Sequence, residues 1–266
     1  MPMQLPRRAQ PLVVSAIGLR RAIGFCGLAL PPLLGPGGYL VLGVPIQDSL
    51  SAYVHTPLRD LFVGLLFALS ALFFCYRGHD RIENWTAHSA ALFALGLALF
   101  PLDPGNDPLA QRTAAGLLHT VCGGGFFLTM TVYALLHFPR RRPAATEIVV
   151  QTELEKSMQW VKIRDDEINI DLDLDAERSN LSRNLIYRVC GLLILASMLV
   201  MSAYLLLPFY APGLKVRADA VHALFWLEWL AVWSFAAAWL TKGRAIFTTL
   251  VADLLAQTQQ KIKGRR

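Results

Sequence analysis

The chain has 266 residues, of which 55% are hydrophobic and only 17% charged, with a formal net charge of +6 and a mean hydropathy of +0.43. A soluble domain of this length keeps a more charged surface, so the composition points instead to a multi-pass membrane protein. The cations flank apolar runs and form no basic face on a soluble domain, which excludes nucleic acid as the partner.

Residues 1–19 form a basic, Pro-containing leader. No short apolar core followed by a small-residue cleavage site is present, so no cleavable signal is expected. The first span is predicted over residues 20–44, kinked by Pro31-Pro32 and broken near Gly35-Pro36-Gly37-Gly38. The second is predicted over 57–76, with Thr56 as N-cap and Pro57 as the first helical residue. The third, 85–100, stops at Pro101, and a turn-rich loop follows over 103–108. The fourth covers 112–138. Its Gly123-Gly124-Gly125 run would let another helix approach closely.

Residues 143–183 hold ten acidic and five basic residues and read as a soluble insert. Ile168, Ile170, Leu172 and Leu174 alternate with Asn169, Asp171, Asp173 and Asp175, which is strand periodicity. With 159–163 they would make a β-hairpin. A calcium loop at Asp171 is rejected, because its sixth position is Ala176 and its twelfth Ser182. The fifth and sixth spans are predicted over 185–207 and 220–240. Ile246, Leu250 and Leu254 then recur at helical spacing in a basic tail.

The fold expected is therefore an all-α bundle of six transmembrane helices. Helices one to four lie within 20–142, the acidic insert within 143–183, helices five and six within 184–241, and an amphipathic basic tail within 242–266. Cations concentrate on one face, and only Arg59, Arg112, Lys215 and Arg217 fall on the other. The positive-inside rule then puts both termini and the insert in the cytoplasm. Cys26, Cys75, Cys122 and Cys190 form no CxxC pair and read as small buried hydrophobes.

This topology sorts the histidines. His79, His88 and His137 lie at cytoplasmic ends, whereas His55, His119 and His222 lie at the outer ends of spans two, four and six. Asp60 opens span two, Ser51 stands one turn before His55, and Glu228 lies deeper in span six. Three imidazoles with a nearby carboxylate are the donor set of a zinc site with an open position, where a bound water becomes a hydrolytic nucleophile. In that reading His55, His119 and His222 hold the metal, and Asp60, Ser51 and Glu228 serve catalysis. Arg59 and Arg112 meet a lipid phosphate. The bland reading gives the same residues structural work: imidazoles bonded to carbonyls, and Arg59 and Asp60 as helix-end anchors.

The run Ser51-Ala52-Tyr53-Val54-His55-Thr56-Pro57-Leu58-Arg59-Asp60 resembles a signature of bacterial six-span inner-membrane proteins of uncharacterised activity. The segments 183–187 and 225–243 share the likeness, which implies a bacterial inner membrane. The six-span plan is distantly similar to the Frag1/DRAM/Sfk1 proteins, some of them linked to lipid-anchor remodelling. The spacing of Ser51 and His55 resembles the alkaline-ceramidase-like superfamily, whose members hold zinc with three histidines beside a serine and an aspartate. That family has an HxxxH pair in its last span. Here Ala218 and Trp226 flank His222, so His119 would supply the third imidazole.

Three functions follow: a zinc-dependent hydrolase of a lipid amide or ester; a non-enzymatic sensor or partner-binding module, with the insert at 143–183 touching a soluble cytoplasmic partner; and, third, a transporter. In each the partner common to all is the lipid bilayer.

Overall fold

A computed structural model describes residues 16–78, 80–104, 113–139 and 166–243, with the helical backbone alone for residue 16 and residues 166–181. The fold is all α, with no strand among the described residues. Helix α1 (Ala16–Pro32) runs through a π-helical turn at Leu33–Gly37 into α2 (Gly38–Leu42), a continuous apolar rod of 26 residues from Ile17 to Leu42. The predicted break at 35–38 is thus a π-turn. Pro36 lacks an N–H and its ring would strike the carbonyl one turn back; widening the turn by a residue lets the helix continue. Gly43, at φ 68°, ends α2 in the left-handed conformation and bonds back to Gly38 and Tyr39.

A 3₁₀ turn at Ser51–His55 leads to α3 (Arg59–Cys75). The Thr56 hydroxyl accepts the Leu58 N–H at 3.2 Å, but the regular helix begins at Arg59 rather than at Pro57. Helix α4 (Arg81–Leu99) starts before residue 85, because Asp80 caps it by accepting the Glu83 N–H at 2.7 Å. Helix α5 (Ala114–Val132) is capped by Thr113 and continues as a π-helical turn, Tyr133–His137.

Helix α6 (Asp166–Tyr210) is 45 residues long. The run 168–175, expected as a strand, is therefore helix, and its expected partner 159–163 lies outside the described residues. Pro208 sits in the last turn of α6 instead of ending it earlier. Helices α7 (Pro212–Ala220) and α8 (Ala223–Lys242) complete the fold. The rest of the insert and the amphipathic tail also lie outside the described residues.

Among the described residues, four stretches are long and apolar enough to cross a membrane: Ile17–Leu42, Ala114–His137, Ser182–Tyr210 and Ala223–Lys242. Helices α3 and α4, of 17 and 19 residues, pack against each other beside them. The helices run up and down. Bonds from Arg20 to Tyr76, Arg21 to Gly243 and Lys242 to Phe138 mark one end; bonds from His55 to Leu102 and His222 to Asp48 mark the other. Large apolar side chains face outward all round the bundle; Leu40 is 80% exposed. Lipid wets such a surface, whereas in water it would aggregate.

Small residues let the helices close up. A Cβ on Gly27 would stand 2.4 Å from Phe235 Cζ, and one on Gly24 2.6 Å from Leu240 Cγ, so α1 and α8 touch backbone to side chain. Gly125 takes Phe93 of α4 in the same way, while Gly124 beside it faces open space. At the end of the bundle that holds Arg20 and Lys242, aromatic side chains pack against one another. Trp239, 1% exposed, sits 4.9–5.2 Å by ring centroids from Phe73, Tyr76, Tyr133 and Phe138. Beside this cluster Glu83 is buried; its carboxylate accepts from Tyr76 Oη and its carbonyl from Tyr133 Oη, each at 2.9 Å.

Candidate functional site

A cavity of about 290 Å³ lies among α1, α3, α5, α6 and α8. Its walls are apolar: Phe62, Leu66 and Leu69 from α3, Phe126 and Phe127 from α5, Met198 and Met201 from α6, Val232 and Phe235 from α8. Its polar groups gather where the loops close the bundle: Ser49, Ser51, His119, Thr120 and Glu228. Helix α5 brings His119, Thr120, Gly123, Gly124 and Phe127 to one face by the helical repeat. The two glycines remove the side chains that would fill the space. Gly124 and Ser202 line the cavity and are also exposed, so it opens sideways between α5 and α6. Near the termini these helices close: a Cβ on Gly191 would stand 2.5 Å from Leu135 Cγ.

Glu228 sits in the second turn of α8. Its Oε2 accepts the Leu50 N–H at 2.5 Å. His119 is 3% exposed. Its Nδ1 donates to the Phe100 carbonyl at 2.7 Å. A carbonyl only accepts, so Nδ1 carries the proton, and in the neutral ring Nε2 is a bare acceptor. That Nε2 is buried and has no hydrogen-bond partner among the described residues.

The remaining predicted residues lie elsewhere. His55 is exposed and donates from Nε2 to the Leu102 carbonyl at 2.8 Å. His222 caps α8 in the left-handed conformation, φ 50°, and donates from Nδ1 to Asp48 Oδ1 at 2.9 Å. Arg59 and Asp60 stand exposed on the first turn of α3, and neither lines the cavity. Arg112 lies outside the described residues. The structure thus brings together Ser51, His119 and Glu228, and leaves out His55, Arg59, Asp60 and His222. Of the three imidazoles only His119 lines the cavity. Among the described residues no group of three or more His, Cys, Asp or Glu could hold a metal ion.

Several contributors were not singled out in the sequence. The Phe100 and Leu102 carbonyls carry no side-chain signal at all. Asp48 and Thr120 did carry one, as polar neighbours of Ser51 and His119. Lys215, noted only as an outer-face cation, donates to both Asp219 carboxylate oxygens, at 2.7 and 2.8 Å, and to Tyr204 Oη at 2.9 Å. Burial opposes the charge on both partners, yet these bonds raise the Lys215 ammonium and lower the Asp219 carboxyl. The cluster ties α7 to the end of α6.

Comparison with protein-family models, with curated proteins and with solved structures finds no match to the chain.

Proposed function

We propose that this chain is a six-span protein of the bacterial inner membrane, with both termini in the cytoplasm, that binds a membrane amphiphile without converting it. The observation that carries the reading is an apolar cavity with its polar groups gathered at one end and exposed Gly124 and Ser202 in its wall. A preformed apolar pocket with a few convergent polar groups is the usual form of a small-molecule site. The orientation rests on charge. Arg20, Arg21, Arg77, Arg81 and Lys242 belong to the aromatic end, and Arg59, Lys215 and Arg217 to the cavity end.

The non-enzymatic reading is preferred to the hydrolase because the outer polar residues already have structural tasks. His55 and His222 hold loops, and Glu228 holds the 49–51 turn to α8. Native mass spectrometry of the protein released from mild detergent tests the proposal. Expected is an adduct of lipid mass on the wild type that is lost in Gly124→Phe, whose ring would plug the side opening. A wild type without adduct, or a variant that keeps it, refutes the reading.

A further inference from the structure

We infer that the amphiphile is a single chain whose head is a hydrogen-bond donor, a hydroxyl or an amine, and that the cavity rejects a carboxylate head. This rests on the cavity being a binding site, as proposed above, and adds the chemistry of what it takes.

Ser49 and Ser51 bring hydroxyls to the polar end, yet the buried polar atom left without a partner there, among the described residues, is an acceptor, His119 Nε2. His119 Nδ1–H is held by the Phe100 carbonyl, which leaves a lone pair on Nε2. Thr120 donates its hydroxyl proton to the Gly116 carbonyl at 3.1 Å, so toward the cavity it too has only lone pairs. The Leu50 N–H is taken by Glu228, whose carboxyl keeps acceptor capacity after it. At the side opening Ser202 donates to the Met198 carbonyl at 2.8 Å and is likewise an acceptor there. A head with its own O–H or N–H completes this set. A carboxylate would set acceptor against acceptor beside Glu228, in a space where an unpaired polar group is costly.

Size limits the tail. A cavity of about 290 Å³ has room for about ten water-sized groups at ~30 Å³ each. One chain of about that length fits, and a longer one runs out past Gly124 into the bilayer. His119 and Gly124 are five residues apart on α5, about 7.5 Å along the helix, so head and opening are within reach of one short chain.

The test uses the full chain in phosphatidylcholine nanodiscs. Four twelve-carbon probes carry a diazirine near the tail end and differ only in the head: alcohol, amine, methyl ether and carboxylate. Photolabelling is quantified on the peptides containing Leu66, Phe126 and Phe235. Alcohol or amine is expected to label these at least about tenfold more than ether and carboxylate, the effect of one buried acceptor left unpaired. The ratio of alcohol to amine tells which donor is preferred. His119→Phe should bring the donor heads down to the level of the ether; if that variant does not fold, the head series on the wild type decides alone. Equal labelling by all four heads, or preference for the carboxylate, overturns the donor rule while leaving an amphiphile site. No cavity labelling by any head overturns the binding reading and this inference with it.

Discussion

Glu228→Leu removes the acceptor for the Leu50 N–H while keeping an apolar side chain of similar length. Leu50 is 4% exposed, and its N–H donates to Glu228 Oε2 at 2.5 Å. A buried donor left unpaired costs about 1–3 kcal/mol. Glu228→Gln keeps an acceptor oxygen in place, so it should cost less than Glu228→Leu. The expected order of stability is wild type, then Gln, then Leu, with about 1–3 kcal/mol across the series. Asp60→Ala, exposed on α3 and outside the cavity, should stay within about 0.5 kcal/mol of wild type. Reversible unfolding in mixed anionic and maltoside micelles measures the series, with the fluorescence of Trp226, Trp229 and Trp233 on α8 as the signal. A Leu variant as stable as wild type, or an Asp60→Ala more damaging than Glu228→Leu, would refute the assignment of Glu228 as the residue that holds this turn.

Gly27→Ala places a methyl group 2.4 Å from the Phe235 ring, an overpacking of about 1–3 kcal/mol, whereas Gly124→Ala meets nothing within 4 Å and should be neutral or stabilising by helix propensity; the same unfolding assay compares them. A membrane-impermeant maleimide should label Pro45→Cys on intact cells but reach the native Cys75, exposed at the opposite end of the bundle, only after permeabilisation. Labelling of Cys75 alone would invert the topology. The Lys215–Asp219 pair sets a pH dependence for α7. Because the Asp219 carboxyl is lowered in the fold, its contribution is present above the ordinary carboxylate value of 3.8 and fades as the pH falls through the folded value. The Lys215 ammonium is raised, so its contribution is present below 10.5 and fades as the pH climbs through the folded value. A nitroxide on Val216→Cys should be constrained between these limits and loosen in acid, and Asp219→Asn should remove the acid transition.

The apolar runs were readable from hydropathy, and among the described residues four of them are helices long and apolar enough to cross a membrane. Thr113 and the paired Asp80 and Glu83 start α5 and α4 where capping chemistry would put them. The prolines were less readable. Inside the bundle a π-turn absorbs Pro36, a response that depends on neighbouring helices and not on the local sequence. The alternation over 168–175 is too short to separate a period of two from helical repeats. No proline or glycine interrupts the chain between residue 166 and Gly191, so helical order in the apolar part of α6 extends back through it.

The histidines show why topology alone does not make a site. A helix end leaves carbonyls without intrahelical donors, and the loops of a membrane bundle bring those carbonyls next to the ends of neighbouring helices. An imidazole there finds a carbonyl before it finds another imidazole. His55 and His119 do the same thing at first sight: each gives its proton to a loop carbonyl, of Leu102 and of Phe100. They differ in what their second nitrogen meets. His55 is exposed, so its free nitrogen is met by water or headgroups. His119 is buried, and its free nitrogen is without a partner beside an apolar cavity. A cavity beside the buried second nitrogen, rather than position at the outer end of a span, is what singles out His119. That criterion moves the site from the Ser51–Asp60 stretch to the place where its first residue meets α5 and α8.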